Sequence, residues 1–357
     1  MSKLVFVHLF NDRSGSPKVL SQVVRAMSQR GTAIEVLTSS HADGFLSDLP
    51  GIRREIFYRR SENKLVTLFY YLLSQAFLFL FCLRYWRQDV VFYVNTMMPF
   101  GAALAARLMG KSVVYHVHET SLRPALLKRF LRQVISLTAR KIVFVSDYLR
   151  QAEGFAGKCQ YVVHNALDGV VTQRPERAAT GTFNVLMVCS LKAYKGVPEF
   201  FDIAGKLLDR PEIRFTLVLN ADPAEMESLL AGVAIPTNVA LFPRQVDVAR
   251  FYEQADLLLN LSRPDEWVET FGLTILEGMA QGLPVVVPPV GGPAEIVSDG
   301  REGFLISCYE TGRIAEVIGQ LADDREQHLR LARNARARAK DFCLANFEEK
   351  IASVIES

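Results

Sequence analysis

The chain has 357 residues, of which 50% are hydrophobic and 22% are charged, a composition typical of folded globular proteins. Two domains are expected, because a single core rarely grows beyond about 250–300 residues. The net charge of +3 does not indicate nucleic acid as a partner, and no basic run alternates with aromatic residues.

The five cysteines form no C-x-x-C pair, so neither a disulfide framework nor a structural metal site is expected, and a reducing cytosol fits best. The first strand begins within MSKLVFVHLF, so we expect no signal peptide.

Short apolar runs alternate with helical patterns along the chain, which is typical of parallel βα units. Runs that are hydrophobic at every position, such as VVFYV and VLMV, indicate strands covered on both faces of a sheet. In the first half we predict strands at residues 4–10, 33–38, 90–94, 113–117, 142–145 and 161–163. In the second half we predict strands at residues 185–188, 215–219, 239–242, 257–261, 285–287 and 303–306. The predicted class is α/β, with doubly wound parallel sheets.

The segment DGVVTQRPERAATGTFN is rich in charge, Pro and Gly and has no hydrophobic periodicity. It predicts an interdomain linker at residues 168–183, between an N-terminal domain at 1–168 and a C-terminal domain at 184–340. Residues 341–357 are predicted to form a helix that packs back towards the N-terminal domain. In doubly wound domains, ligands bind at the carboxyl ends of the strands.

A tight turn containing Ser14, Gly15 and Ser16 follows the first predicted strand. One interpretation is a βα loop that needs the backbone freedom of glycine. The other is a ligand contact made by backbone N–H groups and serine hydroxyls. The residue types alone do not decide between the two.

Residues 65–83 form an uncharged apolar stretch that is long enough to span a bilayer. A span is not expected, because the predicted strands on either side of the stretch should share one sheet. Cations flank the stretch and recur in a later basic helix: Arg53, Arg54, Arg59, Arg60, Lys64, Arg84, Arg87, Lys128, Arg129 and Arg132. Two interpretations stay open, an oversized core helix or a helix that docks on an anionic membrane surface. We favour the membrane surface.

His116 and His118 lie in VVYHVHET, and we expect them to point to opposite faces if both lie on the strand. His118 lies nearer the carboxyl end of this strand, where a ligand is expected. Most single histidines in strands are hydrogen-bonded structural groups, and this alternative applies to both. Glu119 is the nearest carboxylate and is expected to orient His118 or to contact a ligand.

Glu269 and Glu277 stand eight residues apart in a stretch that predicts a strand end, a loop and a helix start. The free amides and the dipole of a helix start favour an anion. Carboxylates in the same segment are suited instead to neutral hydroxyl groups. A ligand that carries both phosphate and hydroxyl groups is a nucleotide sugar, so the stretch indicates glycosyl transfer.

The motif from Glu269 to Glu277, with the GLP and GGPAE segments that follow it, resembles the donor-site signature of retaining family 4 glycosyltransferases, the glycosyl transferases group 1. The KG pair at Lys195 and the HVHE segment that ends at Glu119 are similar to the same family. Matching segments run from about residue 4 to residue 308. The resemblance implies the GT-B fold, in which an acceptor domain and a nucleotide-sugar domain, both Rossmann-like, face a central cleft.

The resemblance also implies roles for matching residues. Glu269 would accept hydrogen bonds from the transferred sugar, and Glu277 from the nucleotide ribose. Lys195 would neutralise the diphosphate, because an ammonium suits phosphate oxygens. His118 would contact the sugar or stabilise its developing positive charge. The other implied contacts to the donor involve Thr270, Phe271, Gly272 and Leu273, and the implied contacts to the acceptor or the diphosphate involve Ser14, Gly15, Ser16 and Glu119.

One position departs from the family pattern. Where the family carries an arginine five residues before the lysine, this chain has Ser190. Lys192 is the nearest residue that would reach the same phosphate. The chain has no D-x-D pair, so we expect neither a metal nor another cofactor.

No carboxylate pair in the first domain suggests a double displacement, so we expect same-face transfer in which the leaving phosphate helps to deprotonate the acceptor. Glu269 as a covalent nucleophile is the weaker alternative. The expected acceptor is a lipid-linked saccharide or glycan of bacterial polysaccharide or lipopolysaccharide synthesis, reached from the cytosolic face of the membrane. The competing hypotheses are a nucleotide-sugar epimerase, a phosphorylase, and a catalytically weakened homologue that binds a membrane or a partner.

Overall fold

The computed structural model describes residues 2–39, 43–59, 61, 63–168 and 181–357, with residue 64 described by its backbone alone. The chain divides into two compact units. The first unit comprises Met1–Ala166 and Ala345–Ser357, and the second comprises Leu167–Leu344. Of the predicted linker at 168–183, residues 169–180 lie outside the described part of the chain.

The first unit contains a seven-stranded sheet in the order β3-β2-β1-β4-β5-β6-β7, and all its neighbouring strands are parallel. Its strands are β1 (Lys3–Val7), β2 (Ile34–Thr38), β3 (Ile52–Glu55), β4 (Val90–Asn95), β5 (Ser112–Val117), β6 (Lys141–Phe144) and β7 (Cys159–Val162). The apolar runs of β1 and β4 are almost wholly buried, as expected for strands with both faces covered.

The helices of the first unit connect these strands. They are α1 (Gly15–Gln29), α2 (Lys64–Cys82), α3 (Phe100–Leu108), α4 (Ala125–Thr138) and α5 (Asp147–Glu153). The side chain of Asn63 caps α2 by accepting from the amides of Leu65 and Val66, and α2 ends in a 3-10 turn at Leu83–Tyr85.

The second unit contains a six-stranded parallel sheet in the order β10-β9-β8-β11-β12-β13. Its strands are β8 (Phe183–Cys189), β9 (Ile213–Leu219), β10 (Val239–Phe242), β11 (Leu257–Leu259), β12 (Val285–Val287) and β13 (Gly303–Leu305). Its helices are α6 (Val197–Lys206), α7 (Pro223–Leu230), α8 (Ala249–Gln254), α9 (Leu273–Ala280), α10 (Pro293–Ile296), α11 (Thr311–Asp323) and α12 (Arg325–Ala339). Phe200, Phe215 and Leu257 lie in its apolar core.

The last helix, α13 (Leu344–Glu356), belongs to the first unit from Ala345 onwards. Lys141 Nζ, on β6, donates to the carbonyl of Val354 at 2.7 Å and to Ser357 Oγ at 3.1 Å. The buried residues of α13 are Phe347, Ile351, Ala352 and Val354. The chain therefore returns to its first unit after completing the second.

The twelve strands predicted from the sequence are confirmed, two of them with their bounds unchanged at Val239–Phe242 and Val285–Val287. The sequence analysis missed β3, because Ile52–Glu55 is exposed at every position and half of it is arginine. Among the strands that the structure describes, it lies at the edge of the sheet and pairs with β2. Hydrophobic patterning cannot identify such a strand, since only its backbone joins the sheet.

The strand order locates the place where each unit is expected to bind a ligand. In the first unit β1 lies between β2 and β4, and in the second β8 lies between β9 and β11. The connections that follow β1 and β4 therefore run to opposite sides of the sheet, as do those that follow β8 and β11. This divergence opens a crevice at the carboxyl ends of each pair of strands. The loops after β1 and β4, and those after β8 and β11, border the two crevices.

Helix α2 contains the apolar stretch noted in the sequence. Leu65–Tyr85 is, within the part of the chain that the structure describes, the one helical stretch long and apolar enough to cross a membrane, by length and composition. The most apolar 18 residues of this stretch have a mean hydropathy of 1.9, and 28% of them are buried. The helix connects β3 to β4, which belong to the same sheet.

Candidate active site

Asn95 links three segments at the carboxyl ends of β1 and β4. Its Oδ1 accepts from His118 Nε2 at 2.9 Å, and its Nδ2 donates to His8 Nδ1 and to the carbonyl of Ser16, both at 3.1 Å. His8 follows β1 and His118 follows β5. The amide therefore fixes which ring nitrogen of each histidine carries the proton.

The rings of His116 and His118 lie 4.2 Å apart, centroid to centroid. The expectation that they point to opposite faces was wrong, because side chains two residues apart in a strand share a face. Tyr93 holds His116 through a hydrogen bond of 2.7 Å to Nδ1. Burial lowers the pKa of His118 well below its usual value, lowers that of His116 to about 3 and lowers that of His8 to about 4. All three rings are neutral at pH 7.

The turn predicted to contact a ligand begins α1. Ser14 is the N-cap residue, and Asp12 Oδ1 accepts hydrogen bonds from both its amide and its hydroxyl. Gly15 and Ser16 form the first turn of the helix, and the carbonyl of Ser16 is the one bound by Asn95. The structure therefore brings this turn and His118 to the same amide side chain.

Glu119 holds the loop between β4 and α3. Its two oxygens accept from the amides of Met97 at 2.9 Å and His118 at 3.2 Å. In the same loop Thr96 has a positive φ of 70°, which is uncommon for a residue other than glycine. Burial raises the pKa of Glu119 to about 7, against the lowering effect of the amides that it binds. The carboxyl therefore changes its charge near neutral pH.

In the second unit, Lys195 and Glu269 form an ion pair. Lys195 Nζ lies 2.5 Å from Glu269 Oε2, although the two residues are 74 positions apart in the sequence. Ser262 Oγ lies 3.4 Å from the same carboxylate oxygen. Burial opposes both charges, but the pair outweighs it: the pKa of Glu269 is lowered by Lys195, Ser262 and Asn260, and that of Lys195 is raised by Glu269. Both residues carry their charges at neutral pH.

Three glycines allow the backbone of this site to pack closely. Gly196, which follows Lys195, has φ 79°, and a Cβ there would lie 2.2 Å from the carbonyl of Leu261. A Cβ on Gly291 or Gly292 would lie 2.4 Å from the backbone between Glu269 and Phe271, and the amide of Gly292 donates to the carbonyl of Glu269 at 2.9 Å. The GG pair of the sequence motif thus supports the loop that carries Glu269.

Helix α9 starts at the end of that loop. Gly272 is its N-cap with φ 107°, and Leu273 is its first residue. Thr270 is half-buried, and the side chain of Phe271 is buried against Phe342. Only the backbone of Phe271 is therefore available to a ligand.

Glu277 lies one helical turn further along α9. Tyr252, on α8, donates its hydroxyl to Glu277 Oε2 at 2.9 Å. The phenol is buried, and burial raises its pKa well above the usual value, so it remains a hydrogen-bond donor at all physiological pH values.

Ser190 and Lys192 follow β8. Ser190 is half-buried and Lys192 is exposed, and the amide of Lys192 donates to the carbonyl of Ser190 at 2.8 Å. Their predicted contact with a phosphate stays a prediction.

The sequence analysis did not identify His8, Asn95, Ser262 or Tyr252 as site residues. Asn95 had a usable signal, because it directly follows the predicted strand at residues 90–94 and ligands bind at the carboxyl ends of such strands. His8 fell inside the predicted strand at residues 4–10. Ser262 and Tyr252 had none, since each is recognised only by the carboxylate that it contacts.

Two family models match the chain. The one described as Glycosyltransferase Family 4 matches residues 13–168, and the one described as Glycosyl transferases group 1 matches residues 172–338. The two matches lie side by side and together take in most of the chain.

Curated relatives match over shorter segments. D-inositol 3-phosphate glycosyltransferase of Streptomyces scabiei is 32% identical over 152 residues, 39% of this chain and 33% of the relative. N-acetyl-alpha-D-glucosaminyl L-malate synthase of Bacillus anthracis is 30% identical over 177 residues, 48% of this chain and 44% of the relative. The chain thus matches less than half the length of these relatives.

Solved structures match over the whole chain. HepE of Anabaena in complex with UDP and glucose has a TM-score of 0.82 and 21% identity, and covers 100% of both chains. Sucrose-phosphate synthase of Thermosynechococcus elongatus has a TM-score of 0.78 and 16% identity, and covers 100% of this chain and 98% of that chain. These likenesses establish the fold, and with the two family models they identify the chain as a family 4 glycosyltransferase of the GT-B fold.

Proposed function

We propose that this glycosyltransferase is a retaining, metal-independent enzyme that transfers a sugar from a nucleotide-diphosphate sugar to a hydroxyl group of a lipid-linked or glycan acceptor. The observation that carries the proposal is the half-buried Lys195–Glu269 pair beside the start of α9, at the carboxyl ends of β8 and β11. An ammonium has three protons, so Lys195 can hold Glu269 and still donate to a diphosphate oxygen. The start of α9 supplies amides and a positive dipole end for the same anion.

The proposed reaction breaks the bond between the anomeric carbon and the diphosphate oxygen and forms a bond from that carbon to the acceptor oxygen on the same face. The acceptor proton passes to the leaving phosphate. Lys195 neutralises charge on the leaving group, where electrostatic stabilisation contributes most. Glu269 is held by Lys195 and Ser262, which favours a role in holding sugar hydroxyls over attack on the sugar.

His118 suits the sugar side of the reaction because its low pKa keeps the ring neutral. A neutral imidazole does not repel the positive charge that develops on the sugar, whereas an imidazolium would.

We assign Glu277 to the ribose, with Tyr252 orienting the carboxylate. UDP is the nucleotide that we would test first, since HepE was solved with UDP and with UDP-glucose.

We place the reaction in bacterial polysaccharide or lipopolysaccharide synthesis, on the inner face of the cell membrane. The names of the relatives point to another acceptor class, small polar molecules such as an inositol phosphate or malate. The outward apolar side chains of α2 favour the lipid-linked acceptor, because an exposed apolar surface suits contact with lipid and a small polar acceptor does not require one.

The first experiment combines donor binding with variants of the ion pair. A thermal-shift screen of UDP-, GDP-, ADP- and dTDP-sugars should give one raised melting temperature, because a ligand that binds only the folded state stabilises it. With that donor, Lys195→Ala and Glu269→Ala should each lose at least about 100-fold in transfer rate. Lys206→Ala and Glu227→Ala are matched controls, since both side chains are exposed on other helices.

Transfer should persist in EDTA, and NMR of the product should show that the anomeric configuration of the donor is kept. Full activity in both ion-pair variants would refute the site assignment. Inversion of configuration, or sugar epimerisation without an acceptor, would refute the proposed reaction.

A further inference from the structure

Helix α2 presents large apolar side chains outward, although polar side chains occupy part of its buried side. Ser74 and Gln75 are buried at 1% exposure, whereas Leu65, Phe69 and Leu80 are 76%, 62% and 61% exposed. In a water-soluble surface helix the apolar stripe faces the core and the polar side faces water. The outward apolar side chains are expected of a helix whose outer side meets an apolar environment.

The buried side of α2 is fixed to the protein by specific contacts. Gln75 Oε1 accepts from the amide of Gly101 at 3.0 Å, and the hydroxyl of Tyr71 donates to the carbonyl of Met98 at 2.8 Å. A Cβ on Gly101 would lie 2.2 Å from the carbonyl of Gln75, so the backbones of α2 and α3 approach closely. Because β3 and β4 at its two ends share one sheet, α2 cannot cross a bilayer without separating them.

Helix α4 extends the same layer. The rings of Tyr71 on α2 and Phe100 on α3 lie 5.8 Å apart, and those of Phe100 and Phe130 on α4 lie 5.0 Å apart. Leu126 and Leu137 on α4 are also exposed. Apolar side chains are therefore presented on α2 and on α4, with α3 packed between them.

The charged residues within helices α2, α3 and α4 are all basic. Helices α2, α3 and α4 contain no aspartate or glutamate, although acidic and basic residues are nearly equal in number in the whole chain. Arg84, Arg107 and Arg129 are exposed at or beside the helices. Helices that expose apolar side chains and carry cations but no acids are complementary to anionic lipid headgroups above acyl chains.

A depression of about 460 Å³ on α4 adds a place for a headgroup, lined in part by Lys128, Arg129 and Arg132. Glu153 binds both Lys128 and Arg132 and offsets one of the three charges. The depression therefore keeps a positive balance for a phosphate.

We propose that the outer surface of α2 and α4, named here the docking face, binds an anionic lipid bilayer, with α2 lying in the interface plane. The exposed leucines and phenylalanines enter the boundary between headgroups and acyl chains, and the arginines contact lipid phosphates. This inference rests on the proposed function, because docking on the bilayer brings the enzyme to a lipid-linked acceptor. Its physical basis lies in the first unit alone.

The test measures binding of the full chain to phosphatidylglycerol and phosphatidylcholine vesicles by co-sedimentation at low salt. Wild-type protein should bind the anionic vesicles more strongly. Replacing both Phe69 and Leu80 by Gln should weaken the partition by roughly tenfold or more, because each side chain contributes in proportion to its buried apolar area. Replacing both Leu208 and Leu229 by Gln is the matched control, since these leucines are exposed on the second unit, and it should leave binding unchanged.

A charge variant and a spectroscopic probe complete the test. Replacing both Arg84 and Arg129 by Gln should reduce binding to phosphatidylglycerol vesicles and leave binding to phosphatidylcholine vesicles unchanged. Trp86 follows α2 and is exposed, and Trp267→Phe leaves it as the sole tryptophan. Its emission should shift to the blue when anionic vesicles are added.

Three outcomes would overturn the proposal. The first is equal vesicle binding by wild type and the Phe69/Leu80 variant, and the second is protein that never exchanges between vesicle populations, as expected of a spanning helix. The third is a dimer of the wild-type protein that the same variant dissociates. The thermal shift with nucleotide sugars, measured in every variant, separates the two proposals. A retained shift without vesicle binding refutes the docking face alone. Vesicle binding without any nucleotide-sugar shift refutes the proposed function alone.

Discussion

Glu119 and three neutral histidines occupy one region of the first unit, and their protonation affects stability in opposite directions. The pKa of Glu119 is raised to about 7, so between its ordinary value near 4.5 and pH 7 the folded state binds more protons than the unfolded state. Its contribution to the free energy of unfolding therefore falls as pH rises through this window. The pKa values of His8 and His116 are lowered to about 4 and about 3, so their contributions rise as pH increases towards 6.5.

Replacing Glu119 by Gln should remove the falling contribution. The free energy of unfolding of wild type minus that of Glu119→Gln should decrease by roughly 2.5 kcal/mol from pH 5 to pH 8, because each pKa unit corresponds to about 1.4 kcal/mol and most of the shift lies in this range. Urea unfolding at a series of pH values measures the difference. Glu349→Gln, an exposed acid on α13, is the control. A difference that stays constant over this range would contradict the raised pKa.

Tyr252 is predicted to be a positioning residue for Glu277. Tyr252→Phe removes the hydrogen bond to the carboxylate, whose usual worth of about 1 kcal/mol corresponds to a roughly fivefold loss of affinity. If Glu277 binds the ribose, UDP should bind about fivefold more weakly and KM for the donor should rise, with kcat little changed. Inorganic pyrophosphate, which has no ribose, serves as the internal control and should bind as before in calorimetry. An equal loss for both ligands would assign Tyr252 to general packing.

Single residues also show what the sequence could and could not predict about the site. The roles of Glu269 and Lys195 were predicted separately, from a motif and from a strand–loop–helix context. Their ion pair was not, because contact across 74 positions depends on β8 and β11 being neighbours in the sheet. The contact between Asn95 and His8 was missed for the same reason, since the two residues are 87 positions apart. Strand order is set by the global fold rather than by local pattern.

At the scale of elements, sequence patterns predicted the buried strands but missed the exposed edge strand β3. The run VVV of β12 is buried on both sides and stands between turn residues, so its limits are visible in the sequence. The charged segment IRRE of β3 has no apolar pattern and joins the sheet through its backbone. The length and hydropathy of α2 were also evident, but the direction of its apolar side was not.

The contact between α2 and α3 predicts a sharp difference between two glycines. Gly101→Ala should destabilise the protein by about 1–3 kcal/mol, because the new Cβ would lie 2.2 Å from the carbonyl of Gln75 and the helices would have to separate. A Cβ added to Gly205, on α6, would meet none of the described atoms within 4 Å, so Gly205→Ala should stabilise the protein by up to about 1 kcal/mol. Chemical unfolding of both variants compares them. Equal effects would mean that the α2–α3 contact is loose.

At the scale of the whole molecule, the net charge of +3 conceals an uneven distribution. The three helices α2, α3 and α4 have no acids, so acidic residues are concentrated elsewhere in the chain. Composition alone therefore does not suggest the proposed anionic partner, whereas the position of the charges along the helices supports that proposal. The same holds for hydrophobicity, because a composition of 50% apolar residues does not reveal which of them lie outside the core.

The chain path makes the stability of the first unit depend on the last residues of the sequence. Deleting α13 would remove the burial of Phe347, Ile351 and Val354 and leave Lys141 without the carbonyl of Val354. At about 1.5–3 kcal/mol for each large apolar side chain, the loss approaches the whole stability of a typical domain. Hydrogen exchange in a chain ending at Cys343 should therefore accelerate in β5, β6 and β7 and remain slow in β8, β9 and β11. Glu349→Gln, on the exposed side of α13, should leave both sheets protected. Equal acceleration in both sheets would show that α13 stabilises the molecule as one cooperative unit.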